Sequence, residues 1–218
     1  METRYQFNEE IVELNKKIVT LMEMSREALI DALHAFHNQE LDKAKLIIEK
    51  DKAIDQLEME INEKAILLIA TQQPVATNLR EIIVALRIVT DIERMADNAK
   101  NIARSTIHLG KNETAAIPEE LKNMEKLTLE MLNKSILAFE NNDIVIAGQL
   151  AIMDDRVDKS YKKIVSELLG ETATDPDQIQ YIMQVALTAR YIERFADHIT
   201  NIGESILYLV KGETFALN

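Results

Sequence analysis

The chain has 218 residues, with an apolar fraction of 47% and a charged fraction of 28%, enough to close a sizeable core and outside the disordered and fibrous classes. Its formal net charge of −12 opposes non-specific binding to nucleic acid and electrostatic docking on anionic lipid. The absence of Cys excludes disulfides and thiolate metal sites and fits a reducing compartment.

The opening "METRYQFNEE" is polar and acidic and does not read as a secretory signal. The first segment with helical periodicity spans 7–37 and is followed by the polar reversal "HNQE" at 37–40. The second spans 40–71. It holds "AILLIA" at 65–70, an apolar run far too short to cross a bilayer. Pro74 precedes the third, at 75–109, where Ile82, Ala85, Val89, Ile92, Ala96, Ala99 and Ala103 recur at intervals of three and four. Gly110 ends it, and "GKNETAAI" at 110–117 reads as a linker. Pro118 opens a fourth segment at 118–140, "ENND" at 140–143 reverses it, and a fifth runs over 143–169 to Gly170. Asp175 is placed to cap a sixth, opened by Pro176, over 176–211, with Gly212 after it. No stretch alternates with period two. The expected fold is all-α with six long antiparallel helices, several of roughly 30 residues or about 45 Å.

The two halves repeat. "AFHN" at 35–38 matches "AFEN" at 138–141, and "DKAID" at 51–55 matches "DDRVD" at 154–158, both at an offset of 103. "IERMAD" at 92–97 matches "IERFAD" at 192–197 at an offset of 100. The architecture is therefore a tandem repeat of two three-helix bundles, 1–112 and 113–218, and a site built by one half is expected in the other.

Each half carries an acid, three residues, then Asp, twice: Asp51/Asp55 and Glu93/Asp97, then Asp154/Asp158 and Glu193/Asp197. Residues four apart share a helix face, and like charges there destabilise an isolated helix by about 0.2–0.5 kcal/mol per pair. If the second and third helices of each half pack side by side, four carboxylates gather in each bundle. A sulfur-free oxygen set suits Mg²⁺, Mn²⁺, Ca²⁺ or iron rather than zinc. Asn101 and Asn201, one turn further on, are expected beside these sites as a carbonyl ligand or as hydrogen-bond partners of a carboxylate. The competing reading is a solvated acidic face, neutralised by Arg94 near Asp97, Arg194 near Asp197 and Arg190 near Glu193. Recurrence in all four places favours the metal reading. His198 reads as an exposed or partner-bonded histidine, the Asp31 and His34 spacing as chance, the nine Met as core filling, and Phe36 and Phe139 as packing near the reversals.

Taken together, "IEKDKAIDQLEMEI" at 48–61, "QQPVATNLREI" at 72–82, "RIVTDIERMADNAKNIA" at 87–103, "ARYIERFADHITNIGE" at 189–204 and "YLVKGE" at 208–213 resemble the PhoU family of phosphate-transport accessory and regulatory proteins. The resemblance implies the tandem three-helix fold and metal clusters, iron or zinc, at Asp51, Asp55, Glu93, Asp97, Asp154, Asp158, Glu193 and Asp197. It also implies repression of the phosphate-starvation response through contact with a phosphate ABC transporter and a sensor histidine kinase. The family often has Gly before the Asp of the third helix, where this chain has Ala96 and Ala196. An added methyl group there is expected to tighten packing and leave the site in place.

The expected function is a cytoplasmic, non-enzymatic regulator of phosphate uptake and phosphate-starvation signalling. It would be without direct membrane insertion or nucleic-acid binding, would reach the inner membrane face only through protein partners, and is expected to form a homodimer. Two alternatives stand beside it. One is a metal-free helical adaptor that offers grooves to partner helices. The other is a carboxylate-bridged di-metal enzyme, disfavoured because no Glu-x-x-His occurs and only four His are present.

Overall fold

Apolar residues spaced three and four apart give each segment one stripe to bury. On the third helix that stripe, from Ile82 through Val89 and Ala96 to Ala103, is buried. The computed structural model describes residues 2–111, 117–172 and 178–217. Among them the helices are α1 (Glu2–Asn38), α2 (Leu41–Gln72), α3 (Thr77–Leu109), α4 (Glu119–Asn141), α5 (Ile144–Thr172) and α6 (Ile179–Lys211). No strand occurs among the described residues, and none of these helices is long and apolar enough to cross a membrane.

The boundaries move for local reasons. Helix α1 begins at Glu2, five residues before the expected start, because no Gly or Pro interrupts "ETRYQ". Helix α3 starts at Thr77, since Ala76 sits at φ 49° behind Pro74 and cannot continue a helix. Helix α5 runs past Gly170 to Thr172. The proposed cap Asp175, Pro176 and the expected 112/113 boundary between halves lie outside the described residues.

Both reversals use one device. Gln39 and Asn142 adopt left-handed backbone at φ 53° and 51°. Glu40 N–H donates to the Ala35 carbonyl at 2.9 Å, and Asp143 N–H donates to the Ala138 carbonyl at 2.9 Å. These bonds, with the shorter loops Gln39 to Phe36 and Asn142 to Phe139, form the same Schellman cap at matching positions of the repeat. Phe36 and Phe139 are buried beside them. The copies differ at the start of the next helix. The Asp143 carboxylate accepts from the backbone N–H of Val145 at 2.8 Å and of Ile146 at 3.0 Å, whereas Glu40 makes no such cap. Asp143→Ala is therefore expected to cost about 1 kcal/mol. Glu40→Ala, which removes only an exposed contact with His34, should stay within about 0.5 kcal/mol. Urea unfolding of the two variants compares them directly.

Helices α1 and α2 pack on α3, and α4 and α5 pack on α6. The broadest contact between any two helices joins α3 to α6, and α1 also touches α4. The seam between the repeats is partly polar. Asn201 donates to Asp91 Oδ1 at 3.0 Å, and His198 Nδ1 lies 2.9 Å from the same oxygen. Nearer the reversals, His37 Nε2 lies 2.8 Å from Glu125 Oε2. The guanidinium groups of Arg80 and Arg87 lie 5.7 and 5.2 Å from the Tyr208 ring centre, within cation–π range. Gly212, at φ 77°, ends α6; its left-handed backbone favours glycine, whereas the Arg80 guanidinium 2.8 Å from where a Cβ would stand is the free end of a flexible side chain.

Candidate metal centre

In the second repeat, the structure brings three of the four expected carboxylates together. Helix α5 carries Asp154 and Asp158 one turn apart, and α6 carries Glu193 and Asp197. Single oxygens of Asp158, Glu193 and Asp197 all lie within 4.8 Å of one another. Asp154, only 6% exposed, stands behind them. Two like charges about 4 Å apart cost ~4 kcal/mol at an effective dielectric near 20, so the cluster is poorly stable with every group ionised. The titration reflects this. Burial, and behind it the charges of Asp197 and Asp158, pushes Asp154 up to about 7, against a hydrogen bond from Thr200. Burial and Asp197 push Glu193 up to about 7 although Arg190 pulls it down. Asp197 is raised by burial and Asp158.

Within this cluster, Asp154 Oδ1 and Glu193 Oε2 are buried without a hydrogen-bond partner. An unpaired buried carboxylate oxygen is costly unless a cation or donor arrives. The nearby cations stand at the rim: Arg190 pairs with Glu193 Oε1 with its side chain 46% exposed, and Lys162 reaches Asp158 at 3.1 Å while 72% exposed. The Lys162 pair, exposed on both sides, contributes about 0–1 kcal/mol; the Arg190 pair is half-buried, with the Glu193 side chain 10% exposed. An all-oxygen set with orphaned buried lone pairs suits a hard metal ion, which Asp158, Glu193 and Asp197 would hold with Asp154 beside them.

The first repeat is arranged differently. Lys100 inserts its ammonium between α2 and α3, pairing with Asp51 Oδ2 and, at 2.6 Å, with Asp97 Oδ1. Burial alone would lower its pKa, but the bonds to Asp51 and Asp97 outweigh that and raise it. Asp55 is exposed. Glu93 turns to Arg94 at 3.3 Å, and Arg94 also reaches Asp97 at 3.5 Å. Burial nonetheless raises Asp51 and Glu93. Among the described residues no other group of three acidic or His side chains comes together as closely as Asp158, Glu193 and Asp197. Lys100 and Asp51 line a cleft of about 170 Å³ between α1, α2 and α3, with Asp31 on its far wall. Asp31 itself pairs with Lys43 at 2.9 Å.

The two asparagines take other partners. Asn101 accepts from Arg104 at 2.8 Å, and Asn201 belongs to the seam with Asp91. The helical pitch explains this. Each four-residue step advances about 40° round the helix, so a residue eight positions on lies about 80° off the face, whereas one seven positions on lies only about 20° off. Seven residues after Glu93 and Glu193 stand Lys100 and Thr200. Those are the side chains that meet the carboxylates, and the repeat alignment at offset 100 contains the signal for them. His198 is partner-bonded, to Asp91.

The family model described as the PhoU domain matches residues 18–106 and 121–206, once in each repeat. The chain is 35% identical over 217 residues to the phosphate-specific transport system accessory protein PhoU homolog of Clostridium acetobutylicum, covering 99% of each chain. It is 33% identical over 210 residues to the phosphate-specific transport system accessory protein PhoU of Escherichia coli strain K12, covering 96% of this chain and 87% of that one. The fold matches the crystal structure of the phosphate transport system regulatory protein PhoU from Streptococcus pneumoniae with a TM-score of 0.89 and 32% identity, over 96% of this chain and 99% of that one. It matches PhoU from Pseudomonas aeruginosa with a TM-score of 0.89 and 30% identity, over 95% and 100%.

Proposed function

The chain belongs to the PhoU family, and on that premise we propose that it is a cytoplasmic, non-enzymatic regulator of phosphate uptake and of phosphate-starvation signalling. The observation that carries this reading is the match of both repeats, over nearly the whole chain, to relatives named as accessory proteins of phosphate-specific transport. Regulation would proceed by contact with a phosphate ABC transporter and a sensor histidine kinase, and the protein would act as a homodimer. A formal charge of −12 suits basic partner surfaces on the inner side of a membrane.

Metal enters this reading through the carboxylates of the second repeat. A bound ion of iron, manganese, magnesium or zinc would supply the positive charge that four clustered acids lack. Asp158, Glu193 and Asp197 would bind it, and α5 and α6 would be tied together by it. Asp154 and Thr200 would hold the outer groups in register. Occupancy of the site would set how firmly these helices are joined, and hence how the surface presented to partners is shaped.

Deleting the gene and assaying alkaline phosphatase in phosphate-replete medium tests the regulatory role. Phosphatase is expected to rise at least about tenfold, the equivalent of about 1.4 kcal/mol in a repression equilibrium, and a plasmid copy should restore repression. Phosphatase that stays at the repressed level in the deletion strain would refute it.

A further inference from the structure

The sequence repeat predicts two equivalent acidic clusters, and the structure contains two different ones. We propose that the first cluster carries its own cation, the Lys100 ammonium held between Asp51 and Asp97, and that only the second takes up a metal ion. This inference rests on the proposed metal site of the second repeat and deepens it by assigning which repeat binds and which residue decides.

The contrast turns on one position. Lys100 in α3 corresponds to Thr200 in α6 at the offset that aligns "IERMAD" with "IERFAD". The Lys100 side chain is 16% exposed and that of Asp51 8%, so the pair lies inside the bundle. A metal ion entering there would have to displace an ammonium tethered to the same helix and leave it with little water. Two cations within one cluster would also repel. Thr200, fully buried, brings no charge to the second cluster. There Lys162 lies at the exposed rim, where moving aside costs little, Arg190 reaches in from the surface with its own side chain 46% exposed, and two carboxylate oxygens remain buried without partners.

The two repeats would then differ in what they respond to. The tethered cation of the first repeat is always present, so that half keeps its arrangement whatever the supply of metal. The second depends on a dissociable ion, so metal-dependent changes would be confined to the α5–α6 half.

The test uses the full chain, purified without an affinity tag, stripped with chelator, dialysed against Mn²⁺ and measured for manganese per chain. Asp197→Asn should bring uptake to background. Lys100→Thr should about double wild-type uptake by opening a second site of similar affinity, while Lys100→Arg, which keeps the charge, should leave it at the wild-type level. The double variant Lys100→Thr/Asp197→Asn should regain uptake, now at the first cluster. About half of the uptake surviving in Asp197→Asn, or no gain in folded Lys100→Thr, would overturn the inference and leave the metal site of the second repeat standing. No uptake by the wild type or any variant would bring down both. Should Lys100→Thr fail to fold, the fraction of uptake retained by Asp197→Asn decides alone.

Discussion

Stripped of metal, the protein is expected to become more stable as the pH falls from about 8 to about 5, against the usual direction for an acidic domain. The sign comes from Asp154 and Glu193. Burial and like charges raise each to about 7 in the folded chain, while the unfolded chain releases the same protons near 4. Between those values the folded state binds more protons than the unfolded one, so stability falls as pH rises through the window. Below about 4 the two states are equally protonated and the penalty is absent; above about 7 it is fully present. Asp197, raised by burial and Asp158, acts in the same sense. Glu120 acts in the opposite one, because its bonds to Lys163 and Ser160 lower its pKa, and its contribution is lost only on further acidification. The combined gain is on the order of a few kcal/mol, or roughly 10 °C in melting temperature for a chain of this size. Saturating Mn²⁺ at pH 8 should raise the melting temperature by linkage and flatten its pH dependence, since metal and protons compete for the same oxygens. Differential scanning calorimetry with and without chelator measures both. A melting temperature of the stripped protein that is flat or falls on acidification over this window would mean that these carboxylates are not held as the structure places them.

The second large effect is expected in the core behind the site. Phe195 lies between Glu193 and Asp197 in sequence but is fully buried, turned inward where α6 meets its neighbours. Phe195→Ala should cost about 3–5 kcal/mol, the lost burial plus an incompletely collapsed cavity. Phe195→Leu should cost less because more of the volume is kept. Met95, its counterpart in α3, is also fully buried, and Met95→Ala should cost about 2–5 kcal/mol. Only the Phe195 change should also weaken Mn²⁺ uptake, because it loosens the helix that carries two of the ligands. Urea denaturation gives the stability, and manganese uptake by the folded variants gives the second readout. A Phe195→Ala cost below about 1 kcal/mol would show that the ring is not wedged.

Much of the fold is legible from local chemistry. Helical periodicity fixes the six segments, Pro118 opens α4 and Gly110 and Gly212 close α3 and α6, and the repeated "AFHN" and "AFEN" mark reversals that share one cap. Helix starts are less legible because they depend on single backbone dihedrals, as at Ala76. The site is legible as acid pairs four apart, since that spacing opposes helix stability and so stands out. What occupies it is harder to read, because the eye follows intervals of four to Asn101 and Asn201, whereas the helix brings Lys100 and Thr200 to the face. The seam leaves little trace. Asp91, His198 and Asn201 meet across the repeats, and His37 meets Glu125, in pairs that belong to no repeated pattern. Contacts between different units of a duplication have no reason to recur within either one.

That seam joins counterparts: α3 to α6, and α1 to α4. Like meeting like is the mark of a two-fold axis, where the same patch serves both sides. Within one polypeptide the two repeats thus meet through counterpart helices, as the two subunits of an isologous dimer would. Because the two copies lie on one chain, their residues need not match, and the first repeat places Lys100 where the second has Thr200.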